Sequence, residues 1–327
     1  MIDRTAHSTP RRFGLMITFA LGALIMIYMS YRLPRLLPGD FVTAMYAGSQ
    51  VTLTAEQEAE LRAYYTEQSG FSRYLIRLVS LDWGYSYAFL TPVSALFFGA
   101  LPWTLLLMGA AHVISMCAGF VTGVEAAWRR ESWAERGIVG GMTILDGVPE
   151  ISTGVILLVV FALHFGWFPA AGAETAYATL SFWSQLADIG HHLALPLLTL
   201  VLAYVPGNFL LTRNSMVMVI KQSYITTARA KGLPSRRIRY AHAARNALLP
   251  LVTRFGLRLA FMVTGALVVE RIYSYPGLGT LLFNAIQVRD LPVIQAVVLV
   301  SSLMVLGIIL SLEIIYRIID PRIEHAR

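Results

Sequence analysis

Long apolar runs separated by shorter polar connections dominate the hydrophobic pattern of this chain. A transmembrane helix needs about 20 mostly apolar residues to cross the hydrocarbon layer, and six runs come close to or exceed that length. The pattern therefore predicts an all-α polytopic membrane protein with six transmembrane helices. The predicted spans are Phe13–Tyr31, Ala100–Val124, Ile138–Leu163, His192–Thr212, Leu251–Val269 and Leu291–Leu312.

The first and the fifth runs each allow a second interpretation. Phe13–Tyr31 follows Arg11 and Arg12, as the core of a cleaved signal peptide does. It is longer than the roughly 7–15 residues of such a core, and no small-residue cleavage site follows it. The fifth run contains Arg254 and Arg258 near one end, where aliphatic stems can carry the charges to the headgroups. We therefore expect both runs to span the membrane.

Basic residues are concentrated in alternate connections, and this asymmetry predicts the orientation of the helices. Lys and Arg precede the first run and follow the second, fourth and sixth, whereas residues 165–191 contain none. Because cytoplasmic connections carry the excess of Lys and Arg, both termini are expected in the cytoplasm. The outer segment 32–99 contains five arginines but is too long for its charge to govern orientation.

The chain is predicted to have an extracytoplasmic segment that forms short helices. Acidic residues early in Leu53–Tyr65 predict an amphipathic helix that begins at Thr54, and Ser72–Leu81 predicts another. The three predicted regions are the cytoplasmic N-terminus with the first span (1–31), the extracytoplasmic segment (32–99) and a five-helix core (100–327).

The composition agrees with a membrane protein and excludes several other classes. Of 327 residues, 56% are hydrophobic and 14% charged, with a mean hydropathy of +0.62, whereas soluble domains average about 25% charged residues. Such hydrophobicity excludes a disordered chain, and a single cysteine, Cys117, excludes a disulfide scaffold. The net charge of +7 comes from the basic connections. No basic run is interleaved with aromatic residues, so a nucleic-acid partner is not expected.

Motifs for nucleotide or metal chemistry are missing from the sequence. There is no phosphate-binding loop, and Lys221 and Lys231 are the only lysines, so this chain is not expected to hydrolyse ATP. No His-Glu-x-x-His motif occurs, and the adjacent pair His191 and His192 is expected at the membrane interface rather than on a metal. We expect neither a metal nor a cofactor on this chain.

Two ionisable residues, Asp146 and Glu150, lie inside the third predicted span. They are four residues apart, which places them on one face of a continuous helix, and Pro149 between them frees a backbone carbonyl. Ionisable groups at membrane depth are costly and are functional candidates. The two carboxylates are predicted to line a translocation path, with Glu150 favouring cationic groups. Alternatively, one or both pair with an arginine such as Arg254 or Arg258, or stay protonated against the freed backbone. A membrane-embedded enzyme that uses both carboxylates is a third interpretation.

The basic connection, residues 213–250, is the longest predicted cytoplasmic connection and has the pattern of two helices separated by a glycine. Gly232 follows a cationic turn and is expected in the left-handed conformation that ends a helix. A second helix is predicted over Ser235–Leu248, because Pro234 suits its first turn. Pro250 is expected to begin the fifth span.

The first helix of the basic connection carries small residues. Ala228 and Ala230 leave room for close approach by a neighbour, so this short helix suits docking into a groove on another protein. The alternative is a basic, solvated connector that lies on anionic lipid. Considered by themselves, the residues leave both interpretations open.

The segment Thr226–Leu233 (TTARAKGL) resembles the EAA coupling loop of ABC importer permeases, in the variant of the dipeptide, oligopeptide and nickel branch. The wider family has an acidic residue at the start of the motif, where this chain has Thr226. An aspartate commonly precedes the tyrosine that corresponds to Tyr224, and this chain has Ser223 at that position. Further motifs similar to that branch are Leu37–Asp40 (LPGD), Leu81–Ser86 (LDWGYS), Gly166–Pro169 (GWFP), His192–Pro196 (HLALP), His242–Pro250 (HAARNALLP), Glu270 followed by Tyr275–Gly279 (YPGLG), and Asp320–Arg322 (DPR).

This resemblance implies a type I ABC importer permease fold and a non-catalytic, multi-pass transport subunit of the bacterial inner membrane. The implied partners are a homologous second permease, two cytoplasmic ABC ATPases that bind ATP and Mg, an extracytoplasmic substrate-binding protein and the lipid bilayer. The residues to which the resemblance assigns coupling to the ATPases are Tyr224, Thr226, Thr227, Ala228, Arg229, Ala230, Lys231, Gly232 and Leu233. The candidates for the translocation path are Asp146, Pro149, Glu150 and Glu270.

The resemblance also implies a mechanism and a class of substrate. ATP binding would close the ATPase pair, move the coupling helices and turn the path from inward-open to outward-open. A peptide is the expected substrate. Nickel or another metal chelate and an antimicrobial peptide are the alternatives within the same branch.

Overall fold

The structure is a computed structural model that describes residues 9–36, 54–57, 59–60, 63, 70–80, 82–86, 88–260, 262 and 266–319. Within these ranges nearly every element is helical, which confirms the all-α membrane fold. Several predicted features lie outside the described residues: the start of the chain, the motifs Leu37–Asp40 and Asp320–Arg322, and much of the predicted helix Leu53–Tyr65.

The α-helices of the described chain are α1 Thr9–Arg32, α2 Phe71–Val79, α3 Val93–Trp128, α4 Trp133–Asp146, α5 Glu150–Leu157, α6 Phe182–Ile220, α7 Ser223–Ala230, α8 Arg245–Ala260, α9 Leu267–Ile272, α10 Leu278–Gln287 and α11 Leu291–Ile319. A 3-10 helix, Leu33–Leu36, follows α1, and a π-helix, Leu158–His164, continues α5. A helical turn, Ser235–Arg237, and a π-helix, Ile238–Ala244, lead into α8. The strands are β1 Tyr85–Ser86 and β2 Thr91–Pro92. The chain forms two compact units, a first unit of residues 1–101 with 280–327 and a second unit of residues 102–279.

Four helices of the described chain, α1, α3, α6 and α11, are long and apolar enough to cross a membrane. Two of them extend well beyond the predicted spans, since α3 has 36 residues and α6 has 39. The bent pair of α4 and α5 would bring the number to five. The predicted fifth span is divided between α8 and α9 and includes residues outside the described ranges, so the number six stays a prediction.

The third predicted span is not one continuous helix. Helix α4 ends at Asp146, α5 begins at Glu150, and the chain bends by 94° between them. Pro149 lacks an amide hydrogen, and a residue that precedes a proline is disfavoured in the helical conformation. The prediction of one shared helix face for Asp146 and Glu150 is therefore wrong.

The structure also differs from the prediction at Pro250, which lies inside α8 instead of beginning a helix. The predicted helix Ser235–Leu248 consequently runs on through the π-helix into α8 without a break. Ala247 and Leu251, which flank the proline, are each only 1% exposed. A proline removes a single amide donor, and the packing of these neighbours keeps the helix continuous.

The predicted helices of the extracytoplasmic segment agree with the structure where it describes them. The Thr54 amide donates to Gln57 Oε1 at 3.1 Å, and the Gln57 amide donates to Thr54 Oγ1 at 3.3 Å. These two bonds form a capping box, which confirms the predicted helix start at Thr54. Helix α2 confirms the second prediction to within one residue at its start and two at its end.

In the first unit, α1 packs against α11 and α2 packs against the end of α1. Gln295 Nε2 of α11 donates to the Tyr31 carbonyl at 3.3 Å. The ring of Phe71 on α2 lies 5.0 Å from that of Tyr31 between centroids. The β-hairpin is held at the start of α11, because buried Ser86 donates a hydrogen bond to the carboxylate of Asp290.

Helix α6 lies at the centre of the second unit and contacts α4, α5, α8 and α9. Two glycines of α3 allow close approach to it, since a Cβ at Gly119 would lie 2.6 Å from the Asn208 Cβ and one at Gly123 would be as crowded. Small residues four apart are typical of helix contacts in membranes. Elsewhere in this unit the Tyr273 hydroxyl donates to the Gly154 carbonyl at 3.0 Å and ties α5 to the end of α9.

Candidate functional site

Within the basic connection, the two-turn helix α7 is closed by a glycine turn. Gly232 has a φ of +70°. The Gly232 amide donates to the Arg229 carbonyl at 2.9 Å, and the Leu233 amide donates to the Ala228 carbonyl at 3.4 Å. These two bonds are those of the Schellman motif, which satisfies the last carbonyls of a helix. The predicted left-handed glycine is therefore confirmed.

Helix α7 has one buried and one exposed face. Ile225 and Ala228 are 0% and 6% exposed and belong to a hydrophobic cluster with residues from the ends of α3 and α6. The prediction that Ala228 lies on a small-residue face open to a neighbouring protein is thus wrong. Residues three apart share a helix face, and Ile225 anchors the face of Ala228 in the core. Leu233 packs against the same cluster. The exposed residues among the predicted coupling set are Tyr224, Thr226, Thr227, Arg229, Ala230, Lys231 and Gly232.

Glu125, near the end of α3, holds the second half of the basic connection. Arg239 Nη1 donates to both of its carboxylate oxygens at 2.5 and 2.7 Å, and the Tyr240 hydroxyl donates to Oε1 at 2.6 Å. This acceptor raises the pKa of Tyr240, which keeps the phenol protonated as a donor. Nothing in the sequence predicts this role, because the two charges of the pair lie 114 positions apart.

A second ion pair anchors the start of the basic connection on α4. Glu135 is 5% exposed, and Arg213 Nε of α6 donates to its Oε1 at 2.9 Å. The Glu131 amide donates to the same carboxylate at 3.0 Å, while Ser132 caps α4 by accepting from the Glu135 amide. Removing one partner of a buried pair leaves an uncompensated charge, so this contact fixes α4 against α6.

Asn246 joins the two helical parts of the basic connection directly. Its Nδ2 donates to the Tyr224 hydroxyl at 2.6 Å. Together with the ion pair of Glu125 and Arg239 and the shared hydrophobic cluster, this bond holds α7 and the helix that follows it against the ends of α3 and α6.

The acidic residues of the predicted path lie at the bend between α4 and α5. Asp146 and Pro149 are exposed, and Glu150 is half-buried. Neither carboxylate forms an ion pair with Arg254 or Arg258, and the structure describes all four side chains. The four side chains form no direct ion pair, but each carboxylate lies near enough to one of the arginines to interact with it electrostatically, so the paired interpretation stays a prediction.

The two arginines instead contact α6. Arg254 Nη1 donates to the Gly207 carbonyl at 2.9 Å. Arg258 places its Cζ 4.6 Å from the centre of the Tyr204 ring, a cation–π distance. Both arginines are thus held on α6 without an ion pair to Asp146 or Glu150, although Arg254 still interacts electrostatically with Asp146 and Arg258 with Glu150.

Glu270, the fourth predicted path residue, lies in a tightly packed turn. It is 0% exposed, and its Oε1 accepts from the Thr104 hydroxyl at 2.7 Å. The Thr104 oxygen in turn accepts from the Leu278 amide at 2.8 Å. Gly277 packs directly against the carboxylate. This position favours a structural role for Glu270, which holds the turn 273–279 against α3.

The histidines of α6 contact backbone carbonyls. His191 Nε2 lies 2.8 Å from the Trp167 oxygen, and His192 Nδ1 lies 3.0 Å from the Asp188 oxygen. Within the residues that the structure describes, no group of three or more His, Cys, Asp and Glu side chains is arranged to hold a metal ion.

This chain has relatives among known transport proteins. Residues 115–325 match the family described as binding-protein-dependent transport system inner membrane component. Over 329 residues the chain is 35% identical to the oligopeptide transport system permease protein AppB of Bacillus subtilis strain 168, with 99% of each chain covered. It is 32% identical to a putative peptide transport system permease protein of Brucella abortus strain 2308, covering 92% of this chain and 95% of the relative. It is 33% identical to the glutathione transport system permease protein GsiC of Salmonella paratyphi A, covering 92% and 94%.

Proposed function

Because this chain belongs to the family of binding-protein-dependent transport system inner membrane components, we propose that it carries peptides across the bacterial inner membrane together with a homologous second permease. It is a multi-pass permease subunit of an ABC importer of the peptide branch. We infer a peptide substrate from the similarity to an oligopeptide permease over 99% of both chains. An extracytoplasmic binding protein delivers the substrate in this proposal.

In the proposed mechanism, two cytoplasmic ABC ATPases bind ATP and Mg and contact the exposed face of α7. The hydrogen bond between Tyr224 and Asn246 and the ion pairs of Glu125 and Glu135 support this role, because they connect the basic connection to α3, α4 and α6. Closure of the ATPases then moves the long helices and turns the path outward. Six spans and cytoplasmic termini, with residues 32–99 outside the membrane, belong to the same proposal.

The bend between α4 and α5 is the proposed contact of this chain with the substrate. The carboxylates of Asp146 and Glu150 suit a cationic group such as a peptide amino terminus. Glutathione is the second candidate substrate, because GsiC is named as a glutathione permease. Nickel or another chelate, an antimicrobial peptide and an embedded enzyme are not favoured by the named relatives.

Cysteine cross-linking tests the proposed contact with the ATPases. In a chain whose exposed Cys117 is replaced by serine, Ala230→Cys is expected to cross-link to an ATPase subunit in the assembled complex. Ala228→Cys is the matched control, because its side chain is buried and should not react. Ala170→Cys serves as a control at the predicted outer side. Equal cross-linking from positions 228 and 230, or none from 230, contradicts the proposed docking face.

Peptide uptake by the whole complex in proteoliposomes tests the path. We expect Glu150→Gln to lower uptake of cationic peptides while assembly and basal ATP hydrolysis stay intact, with Asp146→Asn as the comparison. Normal uptake in both variants removes the bend from the path. ATP binding by the purified single chain would contradict its assignment as a non-catalytic subunit.

A further inference from the structure

A small pocket lies between the ends of α3 and α6 and the helix α7. Its volume is about 120 Å³, roughly ten times the 10–15 Å³ or so that a single water molecule requires in a cavity measured in the same way. A tetrahedral phosphate therefore fits inside it. The residues that line the pocket are Ala127, Trp128, Arg130, Val217, Ile220, Lys221 and Arg229.

The rim of this pocket is cationic. Arg130, Lys221 and Arg229 come from three separate segments of the chain, and none of the described lining residues is acidic. Arg130 has an exposed ion pair with Glu131, at 3.8 Å between Nε and Oε1, and also interacts electrostatically with Glu135. The Lys221 side chain forms no hydrogen bond or ion pair within the described residues, and Arg229 lies 5.7 Å above the Trp128 ring. Two of the three charges, those of Lys221 and Arg229, therefore line the pocket without an ion pair to a described carboxylate.

Part of the lining of the same pocket is apolar and comes from the ends of the long helices, namely Ala127, Val217 and Ile220. The same two helices carry exposed apolar residues outside the lining, since Val121 on α3 is 50% exposed and Met218 on α6 is 64% exposed. Val121 lies two turns before Trp128 on the same helix face. An occupant that satisfies both parts has an anionic head and an apolar tail.

We propose that this pocket binds the phosphate headgroup of an anionic glycerophospholipid, with an acyl chain along the exposed apolar side chains of α3 and α6. Basic pockets between transmembrane helices bind such headgroups. A carboxylate from a partner protein would meet the cations but would leave the apolar part of the lining uncovered. Because Arg229 belongs to α7, the lipid also ties α7 to the membrane. This last consequence rests on the proposed coupling function, whereas the binding itself does not.

Lipid retention by the purified complex tests the binding. The complex is reconstituted in an equal mixture of phosphatidylcholine and phosphatidylglycerol and then delipidated in mild detergent, and the phosphatidylglycerol that remains bound is counted. The double variant Arg130→Gln with Lys221→Gln is compared with Arg236→Gln with Arg237→Gln, which removes two exposed charges from the same connection outside the pocket. We expect roughly fivefold weaker retention for each pocket charge removed, the effect of one basic side chain near an anionic surface, and no change in the control.

Each other outcome overturns the proposal. Equal retention in the two double variants excludes a specific site. Displacement of phosphatidylglycerol by inorganic phosphate alone assigns the pocket to free anions. Loss of ATPase subunits from the pocket variant in pure phosphatidylcholine assigns it to the protein interface. If the double variant fails to assemble, Lys221→Arg and Lys221→Gln are compared singly, and equal retention by both contradicts the proposal. Peptide uptake in the same preparations reports on the proposed transport function separately.

Discussion

Two turns of the second unit depend on glycine for opposite physical reasons. Gly232 ends α7 with a φ of +70°, and no atom lies within 4 Å of the position that its Cβ would occupy. Gly277 has no such backbone constraint, but a Cβ there would overlap the carboxylate of Glu270. One position therefore requires a conformation on an exposed surface, and the other requires free volume in a buried core.

Because of this difference, we expect changes in one turn to affect transport and changes in the other to affect the stability of the folded chain. The turn at Gly232 is exposed, so if α7 docks on the ATPases as proposed, a change there alters contacts that only the complex makes. The turn at Gly277 encloses a buried carboxylate and its hydrogen-bonded chain through Thr104 to the Leu278 amide. A change in that turn acts on the isolated chain. Variants of the two turns should therefore separate coupling from stability.

The largest effect is expected from Gly277→Ala. The added methyl displaces the Glu270 carboxylate from its buried site, so overpacking and a lost hydrogen bond together cost about 3 kcal/mol or more. We expect little folded chain after detergent extraction, measured by size-exclusion chromatography. Gly190→Ala is the matched control, since nothing lies within 4 Å of that position. Normal yield of the Gly277 variant would show that the turn is looser than described.

Thr104→Val tests the same buried turn with a smaller change. Valine keeps the volume but leaves the Leu278 amide and the Glu270 carboxylate without the hydroxyl, which costs about 1–3 kcal/mol. We expect a lower melting temperature of the detergent-solubilised chain. Thr104→Ser retains the hydroxyl and should lie near wild type. Equal melting temperatures for the valine and serine variants would show that the Thr104 hydroxyl does not stabilise this turn.

Gly232→Val is expected to affect coupling more than stability. A β-branched residue in the left-handed region costs about 1–2 kcal/mol, confined to an exposed helix end. The complex should still assemble but lose transport-linked ATP hydrolysis, measured in proteoliposomes. Gly232→Asn tolerates the conformation and should retain most of it. Unchanged hydrolysis and uptake in the valine variant would remove Gly232 from the proposed coupling set.

The same contrast explains how much the sequence predicts. Gly232 is predictable because a helix end is decided by its own neighbours, here a cationic turn before the glycine. The environment of Glu270 is not predictable, since its donor Thr104 lies 166 positions away. The burial of Ala228 is likewise not predictable from its neighbours in sequence. The ends of α3 and α6, which are distant in sequence, determine which face of α7 is covered.

The prolines illustrate the limit of local rules. The sequence predicts Pro149 inside a continuous helix, where it frees one backbone carbonyl, but Pro149 lies in a 94° bend. Pro250 is predicted to begin a helix and lies inside one. A proline removes one amide donor in both cases. Whether the helix continues depends on packing of the neighbours, which the sequence pattern does not contain.

The smallest effect is expected from Tyr224→Phe, at the contact between the two helical parts of the basic connection. The change removes the hydroxyl that accepts from Asn246, but Tyr224 is 39% exposed and the amide can turn to water. The cost should be about 0.5 kcal/mol or less, with a correspondingly small fall in coupled ATP hydrolysis. Tyr177→Phe, at a fully exposed tyrosine in the connection after α5, is the matched control and should change nothing. A large loss of hydrolysis in the Tyr224 variant at an unchanged melting temperature would mean that this hydroxyl contacts the ATPase itself. The first turn of α7 would then act by direct contact as well as through its bond to Asn246.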